Sequence, residues 1–240
     1  MIEKRSVVAV IPARGGSKRL ARKNIKLLGN EPLIAWTIKA ALESKYIDEV
    51  VVSTEDAAIA RIAEEVGARV PFMRPLYLAE DTTKSIDVVR HAVEYYKDSQ
   101  NRDFDLTLLL QPTSPLRTAK HIDEAIEELI QKSADAVISV CETEHNPRWS
   151  NLLPSDLSMQ NFLDSKYINA RSQDLEPFYR LNGAIYLCDT QKMLLQNSFF
   201  LESKIFAYVM SQEASVDIDT ELDFLFAQTI INQRGHTNEK

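Results

Sequence analysis

Residues 7–24 read VVAVIPARGGSKRLARKN. Val7 to Ile11 form an unbroken apolar run closed by Pro12, the pattern of a strand buried on both faces of a sheet. The run passes directly into a loop in which Gly15 and Gly16 let the backbone turn sharply. That loop holds five cations, Arg14, Lys18, Arg19, Arg22 and Lys23. Glycine-turn amides and clustered cations together make a cradle for a polyphosphate. The end of an α/β strand is where such a ligand gathers. The stretch lacks the GK[ST] of a P-loop and the GxGxxG of a dinucleotide fold.

Outward from this loop the pattern alternates. Leu33, Ile34, Trp36, Thr37, Ala40 and Ala41 recur at helical spacing behind Pro32. Strand-like runs are expected at 48–53, 69–72, 106–110, 134–140, 183–188 and 205–210. Helices are expected at 55–66, ending at Gly67, and at 85–96, 118–131, 191–195 and 221–232. This alternation predicts an α/β fold, a mostly parallel sheet with helices on both faces, whose ligands lie at the carboxyl ends of the strands. The texture changes between 142 and 181, where prolines and aromatics replace periodicity. That segment reads either as a surface insertion or as an arm of short strands packing on a partner subunit, since Trp149, Leu152, Leu153, Phe162 and Tyr167 are costly to leave in water. The expected division is therefore an α/β domain over 1–141 and 182–234 with a dimerisation arm over 142–181. The last residues, 235–240, read as a solvated tail.

Composition narrows the function. The chain has 240 residues, 45% hydrophobic and 26% charged, which excludes disorder as its main state. Twenty-eight basic against 35 acidic residues give a net charge of −7, poorly suited to general nucleic-acid binding. Cys141 and Cys188 lie in apolar runs and read as buried free thiols. No eighteen-residue apolar stretch and no signal-peptide core is visible, so no membrane association and a cytoplasmic location are expected.

Four further segments carry polar residues in telling places. SVDIDTELDF puts Asp217 and Asp219 on one side of an extended segment, where two carboxylates suit Mg²⁺; Asp219 or Thr220 could instead cap the helix that follows. LLLQPTSPLRT ends a strand with Gln111, Thr113 and Ser114 between two prolines. MRPLYLAEDTTKSID holds Arg74, Thr83 and Ser85 ahead of a helix, where Thr83 or Ser85 could serve only as caps. YRLNGAIYLC sets Asn182–Gly183 beside Arg180. A polyphosphate cradle with a carboxylate pair points to nucleotidyl transfer, which depends on positioning and charge stabilisation. His91, His121 and His236 fall on expected helices or the tail and suggest no nucleophilic triad.

Taken together and in this order, the five motifs resemble those of the bacterial CMP-sialic acid synthetases (acylneuraminate cytidylyltransferases), from about Val7 to about Ala227. The resemblance implies a Rossmann-like nucleotidyltransferase domain and a homodimer whose extended arm reaches into the partner's active site. It implies that Arg14 and Lys23 grip the triphosphate of CTP with Ala13, Ser17 and Asn24 alongside. Arg74, Thr83 and Ser85 would hold the cytidine. Gln111 would meet the acceptor sugar together with Arg171, Gln173, Phe199 and Phe200. Asp217 and Asp219 would hold Mg²⁺, with Asp217 or metal-bound water helping to deprotonate the attacking hydroxyl. The implied reaction joins CMP from CTP to the C2 hydroxyl of a nine-carbon 2-keto acid and releases pyrophosphate. Many members carry two adjacent basic residues before QDL, whereas this chain has Arg171 then Ser172, leaving Arg171, Lys166 or Arg148 to meet the sugar's carboxylate. Legionaminic, pseudaminic and eight-carbon keto acids are the alternative acceptors, and a non-catalytic nucleotide-binding protein is the alternative of another class.

Overall fold

The computed structural model describes residues 5–237. In chain order, β1 (Val7–Pro12) leads through the basic loop to a small hairpin, β2 (Leu27–Leu28) with β3 (Glu31–Pro32), and then α1 (Leu33–Leu42). β4 (Glu49–Ser53), α2 (Ala57–Val66), α3 (Ser85–Gln100), β5 (Leu106–Leu109), α4 (Ala119–Gln131) and β6 (Ala136–Glu142) follow. β7 (Tyr179–Asp189), α5 (Thr190–Gln196), β8 (Ile205–Met210) and α6 (Glu221–Thr237) complete the chain.

Six strands form one sheet in the order β4-β1-β5-β7-β6-β8. β1 is parallel to β4 and β5, β6 is parallel to β8, and β7 runs antiparallel to both β5 and β6. The sheet is thus mostly parallel, as expected. The residues of β1 up to Ile11 are all buried, which explains their unbroken apolar run. One face packs Ile34 and Ile38 of α1, Ile59 and Ala63 of α2 and Ile122, Ile126 and Leu129 of α4. The other packs Ile86, Val89 and Val93 of α3 and Met193 of α5. A third cluster seats α6, through Phe224, Ala227 and Ile230, on Leu28, Leu33 and Leu116.

Local signals account for the element ends. The Asp56 side chain accepts hydrogen bonds from the Ala58 and Ile59 amides (2.8 and 3.1 Å) and starts α2 two residues later than periodicity suggests. Gly67 ends α2 at φ 109°, a conformation that suits glycine. Cys141 and Cys188 are free and buried.

Several expectations need correction. Residues 69–72 form no strand; Arg69 makes one isolated bridge to Val51. β7 begins at Tyr179, four residues before Gly183, and pairs back to Glu142. The connection between β6 and β7 is therefore 143–178, pinned at its base by the Thr143 amide on the Phe178 carbonyl (2.8 Å). It holds two 3₁₀ turns and no strand, so the expected short strands are absent. Residues 235–237 continue α6 instead of forming a tail, and 238–240 lie outside the described residues. Among the described residues no helix is long and apolar enough to cross a membrane.

Candidate active site

The chain passes from β1 through α1 to β4 on one side of β1, then crosses through α3 to β5 on the other. Strand order thus reverses at β1, which opens a crevice beyond the carboxyl ends of β1 and β5. An open cleft of about 650 Å³ lies there. Its wall includes Arg14, Ser17, Lys18, Arg19, Lys23 and Asn24 from the loop after β1, and Arg74, Thr83 and Ser85 from the approach to α3. Gln111 and Thr113 beyond β5, and Asp217 and Asp219 beyond β8, complete it. Ten of the predicted site residues therefore meet in one place.

The basic loop is built for close approach. A side chain at Gly15 would come within 2.5 Å of the Asp56 carboxylate, so only glycine lets loop and α2 meet. Gly16 faces open space and needs no such freedom, contrary to its expected role in a sharp turn. The left-handed residue is Arg22, at φ 51°, which starts a 3₁₀ turn over Lys23–Ile25 and is not part of the cleft lining. Asn24, nearly buried, donates through Nδ2 to the Arg14 carbonyl (2.9 Å) and holds the loop's two ends together.

Four of the loop's five cations already face a carboxylate. Arg14 pairs with Asp81 at 2.6 Å, and Lys18 pairs with the other oxygen of the same carboxylate. These two cations hold Asp81 below the usual carboxylate range, with Lys18 contributing most. The Lys23 side chain is only 12% exposed, and its Nζ lies 3.1 Å from Asp219 and also donates to the Ile218 carbonyl; Arg19 reaches Asp219 at 3.1 Å.

The carboxylate pair sits on an extended segment as the i, i+2 spacing requires. Asp217 and Asp219 face outward and Ile218 between them is buried, its amide donating to the Thr113 carbonyl (2.8 Å). Of the two capping candidates it is Thr220 that serves: the Asp223 side chain accepts from the Thr220 amide (2.7 Å) and hydroxyl (2.8 Å), and the Asp223 amide donates back to the Thr220 hydroxyl (3.4 Å), so neither the Asp217 nor the Asp219 side chain is spent on capping α6. Crowding by surrounding protein, the largest influence, together with the negative charge of Asp219, raises the Asp217 carboxyl above its ordinary range. Asp217 remains exposed, so this is a carboxylate in a concave wall and not a sealed one. A carboxylate paying this cost next to another is the donor set that a hard divalent cation satisfies, with substrate oxygens filling its remaining positions. Among the described residues no cluster of three or more His, Cys, Asp or Glu side chains is arranged for a metal.

At α3, Lys84 is the N-cap and makes no side-chain capping bond, while the Thr83 hydroxyl donates to the Tyr77 carbonyl (3.2 Å). Ser85 is thus not used as a cap. Gln111 rests against Gly183, which takes φ 74° where β6 and β7 slip register; a side chain there would lie 2.5 Å from Gln111 Oε1. Asn182 is buried beside it and bonds the Ser139 and Ser215 hydroxyls (2.6 and 2.9 Å). Gly183→Ala is expected to cost about 1–3 kcal/mol of stability through backbone strain and to push Gln111 from its place. Thermal melting alongside turnover checks this, and unchanged values for both contradict it.

Other predicted residues lie elsewhere. Ala13 is fully buried behind the loop, and Ser114 is buried with its hydroxyl on the Asn182 carbonyl (3.3 Å). Arg171 is exposed and pairs with Asp174 (2.9 Å), and Gln173 is exposed on the same turn; this single chain does not bring either to the cleft. Phe199 is buried and Phe200 half-exposed; both pack on Tyr186, at 5.6 and 6.4 Å between ring centroids, outside the cleft lining.

Sequence reasoning missed Glu55, Asp81 and Arg117. Arg117 is enclosed beneath the floor, where its NH1 donates to the carbonyls of Ala184 (2.9 Å) and Gln111 (3.4 Å). Burial pulls its pKa down to about 9. The first two are acids that meet their cations only through tertiary structure, and Arg117 reads in the sequence like any surface arginine before a helix.

The sequence model of a family described as "Cytidylyltransferase" matches residues 8–228. The chain is 38% identical to the CMP-N,N'-diacetyllegionaminic acid synthase of Legionella pneumophila, over 94% of this chain and 96% of that protein. It is 37% identical to the N-acylneuraminate cytidylyltransferase of Escherichia coli, over 95% of this chain and 53% of that longer protein. A solved structure of a CMP:2-keto-3-deoxy-manno-octonic acid synthetase complexed with CTP superposes with a TM-score of 0.67, covering 95% of this chain and 99% of that one at 18% identity, a likeness of fold. With its cations and carboxylates gathered at the switch in strand order and the match spanning nearly its whole length, the chain belongs to the cytidylyltransferase family.

Proposed function

We propose that this protein transfers CMP from CTP to the C2 hydroxyl of a nine-carbon 2-keto acid sugar, an N-acylneuraminate or close relative such as a legionaminate, and releases pyrophosphate. The observation that carries this reading is a single cleft in which Arg14, Lys18, Arg19 and Lys23 face Asp217 and Asp219 at the carboxyl ends of β1 and β5. Arg14 and Lys23 hold the triphosphate, with the Ser17 and Asn24 side chains beside it. Arg74, Thr83 and Ser85 take the cytidine. Gln111 orients the acceptor. The acceptor oxygen bonds to the α-phosphorus, the bond from that phosphorus to the bridging oxygen breaks, and pyrophosphate leaves with its charge met by Lys23 and Arg14. The C2 hydroxyl proton passes to the Asp217 carboxylate. Asp217 and Asp219 fit Mg²⁺, which when bound neutralises phosphate charge.

The experiment is pyrophosphate release measured over the four ribonucleoside triphosphates and a panel of nonulosonic and octulosonic acids. Turnover with CTP and a nine-carbon acid is expected; turnover only with other pairs, or none, contradicts the reading. The 38% and 37% relatives act by name on different nine-carbon acids, so this panel decides between them.

Asp81 neutralises Arg14 and Lys18 where phosphate would bind. Asp81→Asn is expected to lower the KM for CTP about threefold at low salt, within the range of exposed ion pairs, with the gain fading as salt rises. A raised KM contradicts the competition.

The connection 143–178 supports a homodimer. It leaves Leu152, Leu157, Met159 and Ile168 exposed at 58–90%, an apolar display that a second subunit would cover. Arg171 and Gln173, which do not line their own cleft, then serve the partner's acid sugar. Light scattering is expected to give twice the chain mass of 27.3 kDa; full activity in a monomer contradicts the arrangement. Buried free thiols at Cys141 and Cys188 suit a reducing cytoplasm.

A further inference from the structure

Glu55 follows β4 and sends its two carboxylate oxygens to different parts of the cleft. Oε1 accepts from the Gly15 amide at 2.8 Å, in the loop assigned to the triphosphate. Oε2 accepts from Arg74 NH2 at 2.6 Å, on the side assigned to the cytidine. Both partners are enclosed, with side-chain exposures of 4% for Arg74 and 14% for Glu55. The Arg74 amide is also fastened, donating to the Thr54 carbonyl at 2.8 Å, while its Nε has no protein partner. The turn Thr54–Asp56 is thus a back wall that holds the phosphate loop and the arginine together.

We infer that Glu55 is a positioning residue for nucleotide choice: it ties the Arg74 fork to the phosphate loop at Gly15, so that base identity and triphosphate placement are read as one event. The inference rests on the reading of the cleft as a CTP site. Without a carboxylate beside it, a buried guanidinium would lean toward the triphosphate, an attraction shared by every nucleotide. Paired with Glu55, its charge is met locally and its free N–H groups act as oriented donors. Cytosine offers two adjacent acceptors on its pairing edge, O2 and N3, whereas uracil places a donor at N3. A fixed donor fork therefore favours cytosine, because a mismatched base leaves a buried N–H unpaired.

Glu55→Gln keeps an acceptor for the Gly15 amide and nearly the same volume but removes the charge from Arg74. It is expected to raise the KM for CTP about tenfold, the scale of one charge-assisted hydrogen bond, and to lower the CTP-over-UTP ratio of kcat/KM by a similar factor. The kcat at saturating CTP should stay within about twofold, because the reacting groups are untouched. In an Arg74→Ala background the same substitution should leave the ratio unchanged, since Glu55 acts through Arg74. Glu55→Asp, too short to span both partners, should also lower the ratio and serves if the glutamine variant is unstable. A wild-type ratio in both variants, with only the melting temperature reduced, would make Glu55 merely structural and overturn the inference. Absence of CTP turnover by the unaltered chain would instead overturn the reading of the cleft on which it rests.

Discussion

Lys23→Ala is expected to reduce kcat/KM for CTP by about a thousandfold, the upper range for removing one preorganised charge donor, with little change in melting temperature. The Lys23 side chain is only 12% exposed and its ammonium is held between the Ile218 carbonyl and Asp219, so it is fixed before substrate arrives. Fixed charges in a partly dry wall stabilise developing negative charge without reorganising. The stability effect is small because its partner Asp219 is half-exposed and regains water when the ammonium is lost. Lys23→Arg should restore little, because the planar fork does not fit a seat shaped for a point charge. Steady-state pyrophosphate release checks this, and a loss below tenfold would show that Lys23 is dispensable.

Asp217→Asn is expected to cost at least a hundredfold in kcat, again on the scale of a lost electrostatic contact in the transition state, and to raise the melting temperature of the metal-free protein. The two effects have one cause. Crowding and Asp219 raise the Asp217 carboxyl above its unfolded value. The folded chain thus holds the proton more tightly than the unfolded chain, and stability falls as pH rises through the raised pKa. At neutral pH the ionised group is a burden on the empty cleft that an amide removes. Melting curves between pH 4 and 8 should therefore converge for wild type and Asp217→Asn at the acid end and separate above it, with the variant higher. A variant that melts lower at neutral pH, or that turns over normally, contradicts the assignment.

Much of the site is legible because its residues are locally patterned. The unbroken apolar run of β1 announces a buried strand, and the loop behind it falls at a strand's carboxyl end. Asp217 and Asp219 share a side because alternation along an extended segment needs no tertiary information, and Ile218 is buried as that alternation demands. Legibility fails where long-range placement decides. Nothing local in Tyr179–Asp189 says that it inserts antiparallel between β5 and β6, and that insertion brings Gly183 against Gln111. Arg69–Phe72 has strand composition but finds no strand to pair with beyond one bridge. Glu55 and Asp81 were invisible because an acid's role depends on the cation it meets. Arg171 and Gln173 lie on the connection 143–178 and do not line this chain's cleft, which no local pattern announces.

If the cleft works as proposed, a nucleotide's phosphates join the cationic loop after β1 to a divalent ion held by Asp217 and Asp219. Anomalous scattering from crystals grown with CTP and Mn²⁺ tests it most directly. A metal peak is expected about 2.0–2.3 Å from oxygens of both carboxylates and of the triphosphate, with the phosphates against Arg14 and Lys23. A triphosphate seated away from Arg14 and Lys23, or a metal bound apart from Asp217 and Asp219, would contradict it.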